Sequence, residues 1–321
     1  MKAIRIEATG GPDVMQWQDI TLPPPGPGEV QLRHTAIGLN FIDTYHRSGL
    51  YPIALPSGLG LEAAGVVEAV GEGVTLKVGT RVGYCWGPIG AYATHRNIAA
   101  GAVVPLPDGV SDEMAAAGLL KGCTTEFLVE RCAKVRPGDW ALVPAAAGGV
   151  GLLLVQWLKL VGATVIAVAG TAQKLALAAA HGADHGVLDG GDVASEVRKL
   201  TGGRGVDVVF DGVGKDSWES SLDSLKRRGL LISFGNASGP VSGVDLGILA
   251  RKGSLFVTRP TLFDYYATPE ERQAHAGRVL QLMASGGLKL AINQRYKLAN
   301  AAKAHEDLAA RLTTGSTVLV P

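Results

Sequence analysis

A glycine-rich segment near the middle of the chain has the residue types and spacing that bind phosphate. Residues 144–151 read Pro-Ala-Ala-Ala-Gly-Gly-Val-Gly and lie between a short apolar run and an apolar run of helical length, 150–161. A strand, a glycine turn and a helix in this order bring free N–H groups of a helix N-terminus close to a pyrophosphate. The segment fits the dinucleotide fingerprint with Ala146 in place of the first glycine, Gly148 for close approach and Gly151 for helix packing. We therefore predict a dinucleotide site; a glycine turn that serves packing alone is the alternative.

The strand after this turn indicates which dinucleotide binds. Sites for NAD usually place an acidic residue about 20 residues after the glycines, where it binds the ribose hydroxyls. No acid lies between Thr164 and Lys174, and Thr171 and Lys174 instead supply a hydroxyl and a cation, which suit a 2′-phosphate. We predict NADPH in preference to NADH, and the alternative is that Lys174 is only a solvated helix lysine.

Residues suited to metal or nucleophilic chemistry are scattered along the chain. The seven histidines form no HxH pair and only one HxxxH pair, His181 and His185, and the three cysteines form no CxxC pair. A catalytic zinc needs about three Cys, His or carboxylate ligands, so we predict no metal site. No Gly-x-Ser-x-Gly elbow is present. Cys123 is a candidate nucleophile, but without a visible cationic neighbour it is predicted to be a small core thiol.

Composition and charge exclude several classes of protein. The 321 residues are 47% hydrophobic and 18% charged, which suits two folded domains rather than a disordered or fibrous chain. Lys plus Arg (30) nearly cancel Asp plus Glu (29), so the net charge of +1 gives no electrostatic reason to expect nucleic acid or a membrane. Residues 141–158 carry no charge, but a proline and glycines interrupt them, which favours a buried strand, turn and helix over a membrane span. We predict a soluble cytoplasmic protein with reduced thiols.

The first 120 residues and the residues after them differ in their pattern of apolar runs and turn signals. Turn signals separate short β-rich runs such as 29–34, 65–70 and 81–84, which indicates an all-β, barrel-like unit rather than helices. After residue 139, continuous apolar strands alternate with helices, which is typical of a parallel sheet covered on both faces. The predicted strands there are 141–143, 164–169, 206–210, 230–234 and 255–258, and the predicted helices are 150–161, 172–181 and 219–225.

The C-terminal part reads as two helices, 269–285 and 300–312, and a lone strand, 317–320. Because a single strand needs a sheet to join, we expect the C-terminus to return to the first domain.

Several motifs in a fixed order resemble a known family. They are residues 38–45, 47–52, 120–122, 145–151, 233–236, 253–255 and 258–260. Through them essentially the whole chain resembles the zinc-free NADPH:quinone oxidoreductases related to zeta-crystallin, within the medium-chain dehydrogenase/reductase superfamily. The resemblance implies an α/β fold, with a GroES-like β-barrel catalytic domain and a Rossmann domain built on a doubly wound parallel sheet. The implied domains are residues 1–121, 122–262 and 263–321, the last returning to the catalytic domain.

The resemblance also bears on metal and assembly. Where zinc-dependent relatives carry a cysteine and a histidine ligand, this chain has Asn40 and Leu61. The comparison therefore agrees with the ligand count in predicting no metal. Members of this family are usually homodimers, so a homodimer is expected here.

The resemblance implies a set of site residues. Asn40 and Tyr45 are the candidate catalytic residues, which would orient the carbonyl of the acceptor by hydrogen bonding. The cofactor-binding candidates are, in chain order, Asn40, Phe41, Asp43, Tyr45, Thr124, Gly148, Gly149, Val150, Gly170, Thr171, Lys174, Val213, Gly214, Phe234, Gly235, Asn236, Val257, Thr258, Arg259 and Arg311.

Some of these residues have simpler structural interpretations. Phe234 could be a core residue, Asp43 a capping acid, and Arg311 part of a solvated helix face. Tyr45 and Tyr51 could be packed aromatics.

Two residues depart from the family pattern. Relatives commonly carry a tyrosine where this chain has Asp189, and a carboxylate there would repel a 2′-phosphate and reduce the preference for NADPH. Pro144 replaces a histidine of many relatives, and little effect on the chemistry is expected because a proline is tolerated at a strand end.

The predicted activity is reduction of a quinone by NADPH, through hydride or single-electron transfer and without a metal. The nearest alternative is an enone, alkenal or haloacrylate reductase, which would differ in the acceptor pocket. An alternative from another class is an NADPH-binding structural or RNA-associated protein, against which the near-neutral charge argues.

Overall fold

The computed structural model describes all residues, 1–321, and they form two compact units. The terminal unit contains Met1–Cys123 and Tyr266–Pro321, and the middle unit contains Thr124–Tyr265. The chain thus divides at 123/124 and 265/266, where the sequence led us to expect 121/122 and 262/263. No helix is both long enough and apolar enough to cross a membrane.

The N-terminal part of the terminal unit is rich in short strands, as the turn signals predicted. Its elements are β1 (Lys2–Ile6), β2 (Gln16–Asp19), β3 (Glu29–Leu39), α1 (Phe41–Ser48), β4 (Ser57–Gly58), β5 (Ala63–Val70), β6 (Arg81–Tyr84), β7 (His95–Ala99), β8 (Val104–Pro105) and most of α2 (Asp112–Glu126). The last three residues of α2 and the π-helical segment that continues it, Phe127–Cys132, belong to the middle unit. The expectation of strands without helices was wrong for α1 and α2. Helix α1 is short and begins at a cap in which the Asp43 carboxylate accepts the Asn40 N–H, a signal that strand periodicity does not detect.

The middle unit is a six-stranded parallel sheet with helices between the strands. Its elements are β9 (Trp140–Val143), α3 (Gly149–Leu160), β10 (Thr164–Ala169), α4 (Ala172–Ala180), β11 (His185–Leu188), α5 (Val193–Leu200), β12 (Val206–Asp211), α6 (Trp218–Ser224), β13 (Leu225–Ser233), α7 (Gly247–Arg251), β14 (Phe256–Thr258) and α8 (Leu262–Tyr265). The spatial order β11-β10-β9-β12-β13-β14 is that of a doubly wound nucleotide-binding sheet. The predicted parallel sheet is therefore confirmed. The sequence did not indicate β11, α5, α7 or α8.

The C-terminal part contains α9 (Pro269–Ala284), β15 (Ile292–Lys297), α10 (Ala301–Ala309) and β16 (Ser316–Val320). Strand β16 pairs antiparallel with β3, with Val318 opposite Gly38. The seven-stranded sheet of the terminal unit therefore combines strands from both ends of the chain.

The sheet of the middle unit carries the core of that unit. Leu142, Ile166, Val209 and Leu231 lie on neighbouring strands and are all buried. Because parallel strands buried on both faces are held firmly, their carboxyl ends form a stable edge for the loops that follow.

Candidate active site

The predicted nucleotide-binding residues of the middle unit lie at the carboxyl ends of its parallel strands. The turn after β9 contains Gly148–Val150, and the turns after β10, β12 and β13 contain Gly170–Thr171, Val213–Gly214 and Phe234–Asn236, while Val257–Arg259 ends β14. Because the strands are parallel, these loops all lie along one edge of the sheet. The crevice at such an edge, where the strand order reverses between β9 and β12, is where doubly wound sheets bind nucleotides.

The glycine turn prepares the N-terminus of α3 for an anion. Gly148 is the N-cap residue and offers no side chain to the first turn, so the amides of Gly149 and Val150 remain available. A Cβ on Gly151 would lie 2.5 Å from the carbonyl oxygen of Ala145, whereas one on Gly148 would meet that oxygen at 3.2 Å. A side chain is therefore excluded by packing at Gly151 and would be tight at Gly148; the approach of a pyrophosphate at Gly148 stays a prediction.

The unusual backbone of this turn lies at Ala145. Its φ is +52°, a left-handed conformation that is uncommon for a residue with a Cβ. Ala146, which stands in place of the fingerprint's first glycine, is buried and donates its N–H to the carbonyl of Val168. The turn thus lacks the first glycine of the fingerprint, and its residue with left-handed backbone is Ala145, one position before Ala146.

The residues expected to hold the adenosine phosphate lie at the start of α4. Thr171 is the N-cap residue, and its hydroxyl oxygen accepts the N–H of Lys174 at 3.2 Å. The hydroxyl hydrogen is not used in this bond, so Thr171 can still donate to a phosphate. Asp189 is exposed, and its N–H donates to the carbonyl of Ala169 at the end of β10. A carboxylate therefore does lie near the carboxyl end of β10, although it follows β11 in sequence.

A buried carboxylate that the sequence did not single out shapes the loop after β12. Oδ1 of Asp211 accepts the N–H groups of Val213 and Gly214 at 2.8 and 3.1 Å. Its carboxylate also accepts the hydroxyls of Ser217 and Ser221. Asp211 therefore holds both of the predicted loop residues in place. The sequence signal was an acid at the end of an apolar strand.

Arg259 ties the last two strands of the sheet together. Its Nη1 donates to the carbonyls of Ser233 and Gly235 at 2.9 and 3.0 Å. The Phe234 ring packs over Gly212, where an added Cβ would lie 2.9 Å from the ring. Arg259 and Phe234 therefore have structural roles at the predicted site.

In the terminal unit, Asn40 stands where β3 ends and α1 begins. Its N–H donates to Oδ2 of Asp43 at 2.9 Å, and its Nδ2 donates to Oε2 of Glu62 at 2.8 Å. The other Glu62 oxygen accepts the N–H of Leu120 at 2.6 Å, and Lys121 Nζ lies 3.6 Å from Oε2. Burial raises the pKa of Glu62, while Lys121, Asn40 and Leu120 act to lower it. Asn40 is therefore held by a buried ion pair that the sequence did not reveal.

Asp43 is both a capping acid and part of a buried polar chain. Its Oδ2 accepts the hydroxyl of Tyr92 at 2.9 Å, and that hydroxyl also lies 3.0 Å from Nε2 of His305 in α10. Burial raises the pKa of Asp43 to about 7. Neither Tyr92 nor His305 was a sequence candidate, because each is a lone residue with no neighbouring motif.

The aromatic residues of α1 pack together. The ring of Tyr45 meets that of Tyr51 edge-on, with centroids 5.2 Å apart, and lies 6.4 Å from that of Phe41. Tyr45 is mostly buried. Phe41 and Tyr45 thus contact each other along α1, whereas the Asp43 carboxylate bonds to Asn40 and Tyr92.

Two predicted cofactor contacts lie apart from these groups in sequence. Thr124 is in α2 and is half-buried. Arg311 follows α10 with a φ of +60° and is exposed, so it does not lie on a helix face.

The residues present do not fit a zinc site. No group of three or more His, Cys, Asp or Glu side chains is close enough together to hold a metal ion. At the two positions where the resemblance implied ligands in zinc-dependent relatives, this chain has Asn40 and Leu61, and an apolar side chain such as that of Leu61 cannot coordinate zinc.

Comparisons with known proteins cover the whole chain. Residues 26–108 match the family Alcohol dehydrogenase GroES-like domain, and residues 149–271 match the family Zinc-binding dehydrogenase. Quinone oxidoreductase of Pseudomonas aeruginosa is 54% identical over 100% of this chain and 99% of its own length. A 2-haloacrylate reductase of Burkholderia is 42% identical over 98% of each chain. The crystal structure of Escherichia coli quinone oxidoreductase complexed with NADPH superposes with a TM-score of 0.98, at 47% identity and with 100% of each chain covered.

Proposed function

The chain belongs to the medium-chain dehydrogenase/reductase superfamily, in the branch that contains the quinone oxidoreductases, and on this premise we propose that it reduces quinones with NADPH. The observation that supports the proposal is the set of phosphate-binding features at the carboxyl edge of the middle sheet. There a glycine turn, a cap-free helix N-terminus and the Thr171–Lys174 segment follow adjacent strands. Together they provide donors for a pyrophosphate and for a further phosphate.

When bound, NADPH supplies a hydride or single electrons to the acceptor. The chain's own residues bind the cofactor and orient the acceptor. The turn at Gly148 binds the pyrophosphate through backbone N–H groups, and Lys174 binds the adenosine phosphate as a cation. The Tyr45 hydroxyl and the second Nδ2–H of Asn40, whose first N–H donates to Glu62, orient the acceptor carbonyl by hydrogen bonding. The apolar rings around Tyr45 exclude water.

We propose that the reaction needs no zinc. Asn40 donates to Glu62 where relatives place a cysteine ligand, and the Lys121 ammonium already provides a buried positive charge next to Glu62. Quinone reduction that is unchanged after exhaustive chelation would support this proposal, and activity restored only by zinc would overturn it.

A panel of acceptors tests the proposed function. NADPH oxidation is followed with quinones, enones and haloacrylates, and spin-resonance detection of a semiquinone distinguishes one-electron transfer from hydride transfer. Quinones are expected to give the highest kcat/KM. Failure of every quinone to oxidise NADPH would overturn the proposal.

Reduction of an activated alkene is the second candidate. It is favoured by the identity of 42% to a 2-haloacrylate reductase over nearly the full length of both proteins. A higher kcat/KM for 2-haloacrylates than for any quinone would select it. NADPH binding without turnover of either class would instead favour the structural or RNA-associated alternative, which the net charge of +1 does not support.

A cytoplasmic location of the protein also stays a prediction.

We also propose a homodimer. Strand β14 is an edge strand of the middle sheet, and Phe256 in it is 60% exposed, with Leu246 nearby in sequence at 75%. An exposed apolar edge strand is a ready site for pairing with a second chain. Light scattering should give twice the mass of 33.2 kDa. Phe256→Lys should reduce it to the monomer, while Leu312→Lys, at a 72% exposed leucine elsewhere, should not.

A further inference from the structure

A cavity lies at the amino-terminal edge of the middle sheet, opposite the edge that carries the predicted nucleotide-binding loops. Its volume is about 460 Å³, and it is bounded by α5, the loop before β12, the start of β13 and the residue after α7. Five of its seven lining residues are cationic and none is acidic; the five are Arg198, Arg204, Lys226, Arg227 and Lys252. We name it the basic cavity. Because β12 is six residues long, the two edges of the sheet are about 20 Å apart.

A bulge at the start of β13 brings two of these cations to the cavity. Val206 of β12 pairs with Leu225, but Val208 pairs with Leu230, so residues 226–229 stand opposite a single residue of β12. Arg228 in this bulge has a φ of +58°, a left-handed conformation that is uncommon for a residue with a Cβ. Successive side chains of a regular strand point to opposite faces. The bulge therefore allows two neighbours in sequence, residues 226 and 227, to line the same cavity.

The carboxylates around the basic cavity balance only part of its charge. Asp207 pairs with Arg204 at 2.7 Å and also with Lys226. Lys252 pairs with the two carboxylates of α6. Five cations thus face three carboxylates, which leaves a surplus of two positive charges.

The two cations without a carboxylate partner differ in what else they contact. The Arg198 guanidinium donates to three backbone carbonyls at 2.8 to 3.1 Å, those of Gly203, Asp223 and Leu225. Carbonyls near the ends of helices attract cations, so Arg198 has a structural role as well as a charge. Arg227 is exposed, lies in a strand rather than at a helix end, and has no hydrogen bond or ion pair within the chain. Its guanidinium is therefore available to a ligand.

A neighbouring cavity limits where this surplus lies. It has a volume of about 600 Å³ and shares Arg198 and Gly203 with the basic cavity. Its lining also contains Asp192 and Asp223, whose carboxylates disfavour an anion. The surplus positive charge is therefore confined to the basic cavity.

We propose that the basic cavity binds a chain of linked phosphates, the group that nucleoside triphosphates and inorganic polyphosphate have in common. Phosphate oxygens accept charge-assisted hydrogen bonds from ammonium and guanidinium groups, and the planar arginine fork matches two oxygens at once. Since the cations come from four segments of the chain, several linked phosphates can contact more of them than a single phosphate can. The volume is also within the range of small-molecule sites, roughly 300–1,000 Å³. This site lies at the other edge of the sheet from the proposed NADPH site, so the inference is independent of the proposed function.

Calorimetric titration with inorganic tripolyphosphate tests for the site. The full-length chain is first saturated with NADPH, so that the nucleotide's own site is filled. We expect one tripolyphosphate per chain, with an affinity that falls as the salt concentration rises, because salt screens the charges. Inorganic phosphate should bind about tenfold more weakly or worse, since it makes fewer charge-assisted bonds. No binding of tripolyphosphate at low salt, or equal affinity for inorganic phosphate, would overturn the proposal.

Substitution of Arg227 tests the location. Because Arg227 has no partner in the chain, Arg227→Gln should leave thermal stability unchanged and weaken tripolyphosphate binding by about tenfold or more. Arg227→Glu should abolish binding. Arg251→Gln is the matched control: it removes a charge of the same unit that pairs with Asp245 outside the cavity, and it should change the affinity by less than about twofold. Equal weakening by Arg227→Gln and Arg251→Gln would indicate a response to net charge alone and would contradict a built site.

Two further comparisons identify the site and the source of the phosphates. Displacement of tripolyphosphate by NADPH, or loss of affinity in Lys174→Ala but not in Arg227→Gln, would place the ligand at the proposed NADPH site and overturn the inference. ATP that binds about tenfold more tightly than tripolyphosphate would support a nucleoside triphosphate as the ligand, whereas equal affinities would support inorganic polyphosphate. A chain that binds tripolyphosphate through Arg227 but reduces no quinone would uphold this inference and overturn the proposed function.

Discussion

Glu62 determines how Asn40 presents its amide. Nδ2 of Asn40 donates to Oε2 of Glu62 at 2.8 Å, so its NH₂ group faces the carboxylate and Oδ1 is turned the other way. Because Glu62 is fully buried and also accepts the N–H of Leu120, it cannot readily turn away from Asn40. A residue 22 positions away in sequence therefore orients the candidate catalytic amide.

Removal of the Glu62 charge should destabilise the terminal unit. Glu62→Gln leaves the buried Lys121 ammonium without its carboxylate, and we expect the free energy of unfolding in urea to fall by about 3 kcal/mol. Glu68→Gln in β5, which begins just after Glu62, is the control. It breaks an exposed pair with Arg33 and should cost less than about 1 kcal/mol. Equal losses for the two variants would contradict the structural role of the buried pair.

Substitutions of the two glycines of the phosphate turn should have different effects on stability and on NADPH binding. Gly151→Ala forces a Cβ within 2.5 Å of the Ala145 carbonyl oxygen, so we expect a loss of about 1–3 kcal/mol in stability. Gly148→Ala keeps an ordinary φ of −77°, but its Cβ would lie 3.2 Å from the same oxygen, so we expect a smaller loss of stability than for Gly151→Ala. It should nevertheless weaken NADPH binding at least tenfold, because the new methyl lies where the pyrophosphate approaches. Calorimetric titration and thermal denaturation of both variants measure the difference. The reverse pattern would count against the phosphate site.

Lys174 should matter for NADPH far more than for NADH. Lys174→Ala removes a charge-assisted bond to the 2′-phosphate, worth about 1.5–3 kcal/mol, and should raise the KM for NADPH by at least tenfold. The KM for NADH should change little, since NADH lacks that phosphate. Lys199→Ala, at a lysine of α5 that pairs with Glu196, is the matched control. Similar increases with both nucleotides would refute the phosphate role.

The Asp189 carboxylate should weaken the binding of the same 2′-phosphate by repulsion of like charges. Asp189→Asn removes an exposed carboxylate from a residue whose backbone N–H donates to the Ala169 carbonyl at the end of β10. The substitution should lower the KM for NADPH, while the KM for NADH stays the same. A KM for NADPH that does not fall would show that the carboxylate lies outside the range of the phosphate.

The buried Asp43 should make stability depend on pH in a specific direction. Its pKa is about 7 in the folded chain against 3.8 in the unfolded one, chiefly because burial disfavours the charged form, with Glu62 acting in the same sense and Tyr92 and Lys121 against it. The folded chain therefore holds a proton that the unfolded chain has lost between these pH values, and stability falls as the pH rises from about 4 to about 7. Asp43→Asn mimics the protonated form and escapes this loss.

Urea denaturation at two pH values measures this effect. Relative to the unmodified chain, Asp43→Asn should gain about 2–3 kcal/mol between about pH 5 and about pH 8. The contributions of His34 and His305, whose pKa values burial lowers to about 4 and about 3, are common to both proteins and cancel. A difference that is independent of pH would show that Asp43 is ionised throughout.

The sequence determined the middle unit well because its signals are local. Strand β9, the turn at Gly148 and helix α3 are contiguous, so the spacing of apolar residues and glycines alone was sufficient to predict them. The pattern was less informative where helices are short. Helix α1 has only eight residues, and the cap at Asn40 was visible only as an Asn and an Asp three residues apart.

Tertiary structure alone decided which polar groups meet around the candidate catalytic residues. Tyr92 lies 49 residues from Asp43, and His305 lies 213 residues from Tyr92, yet one hydroxyl bonds to both. No periodicity encodes such a contact, since it depends on how α1 and α10 pack within one unit. Burial, which shifts the pKa values of Asp43 and His305 in opposite directions, likewise exists only once the chain has folded and removed both groups from water.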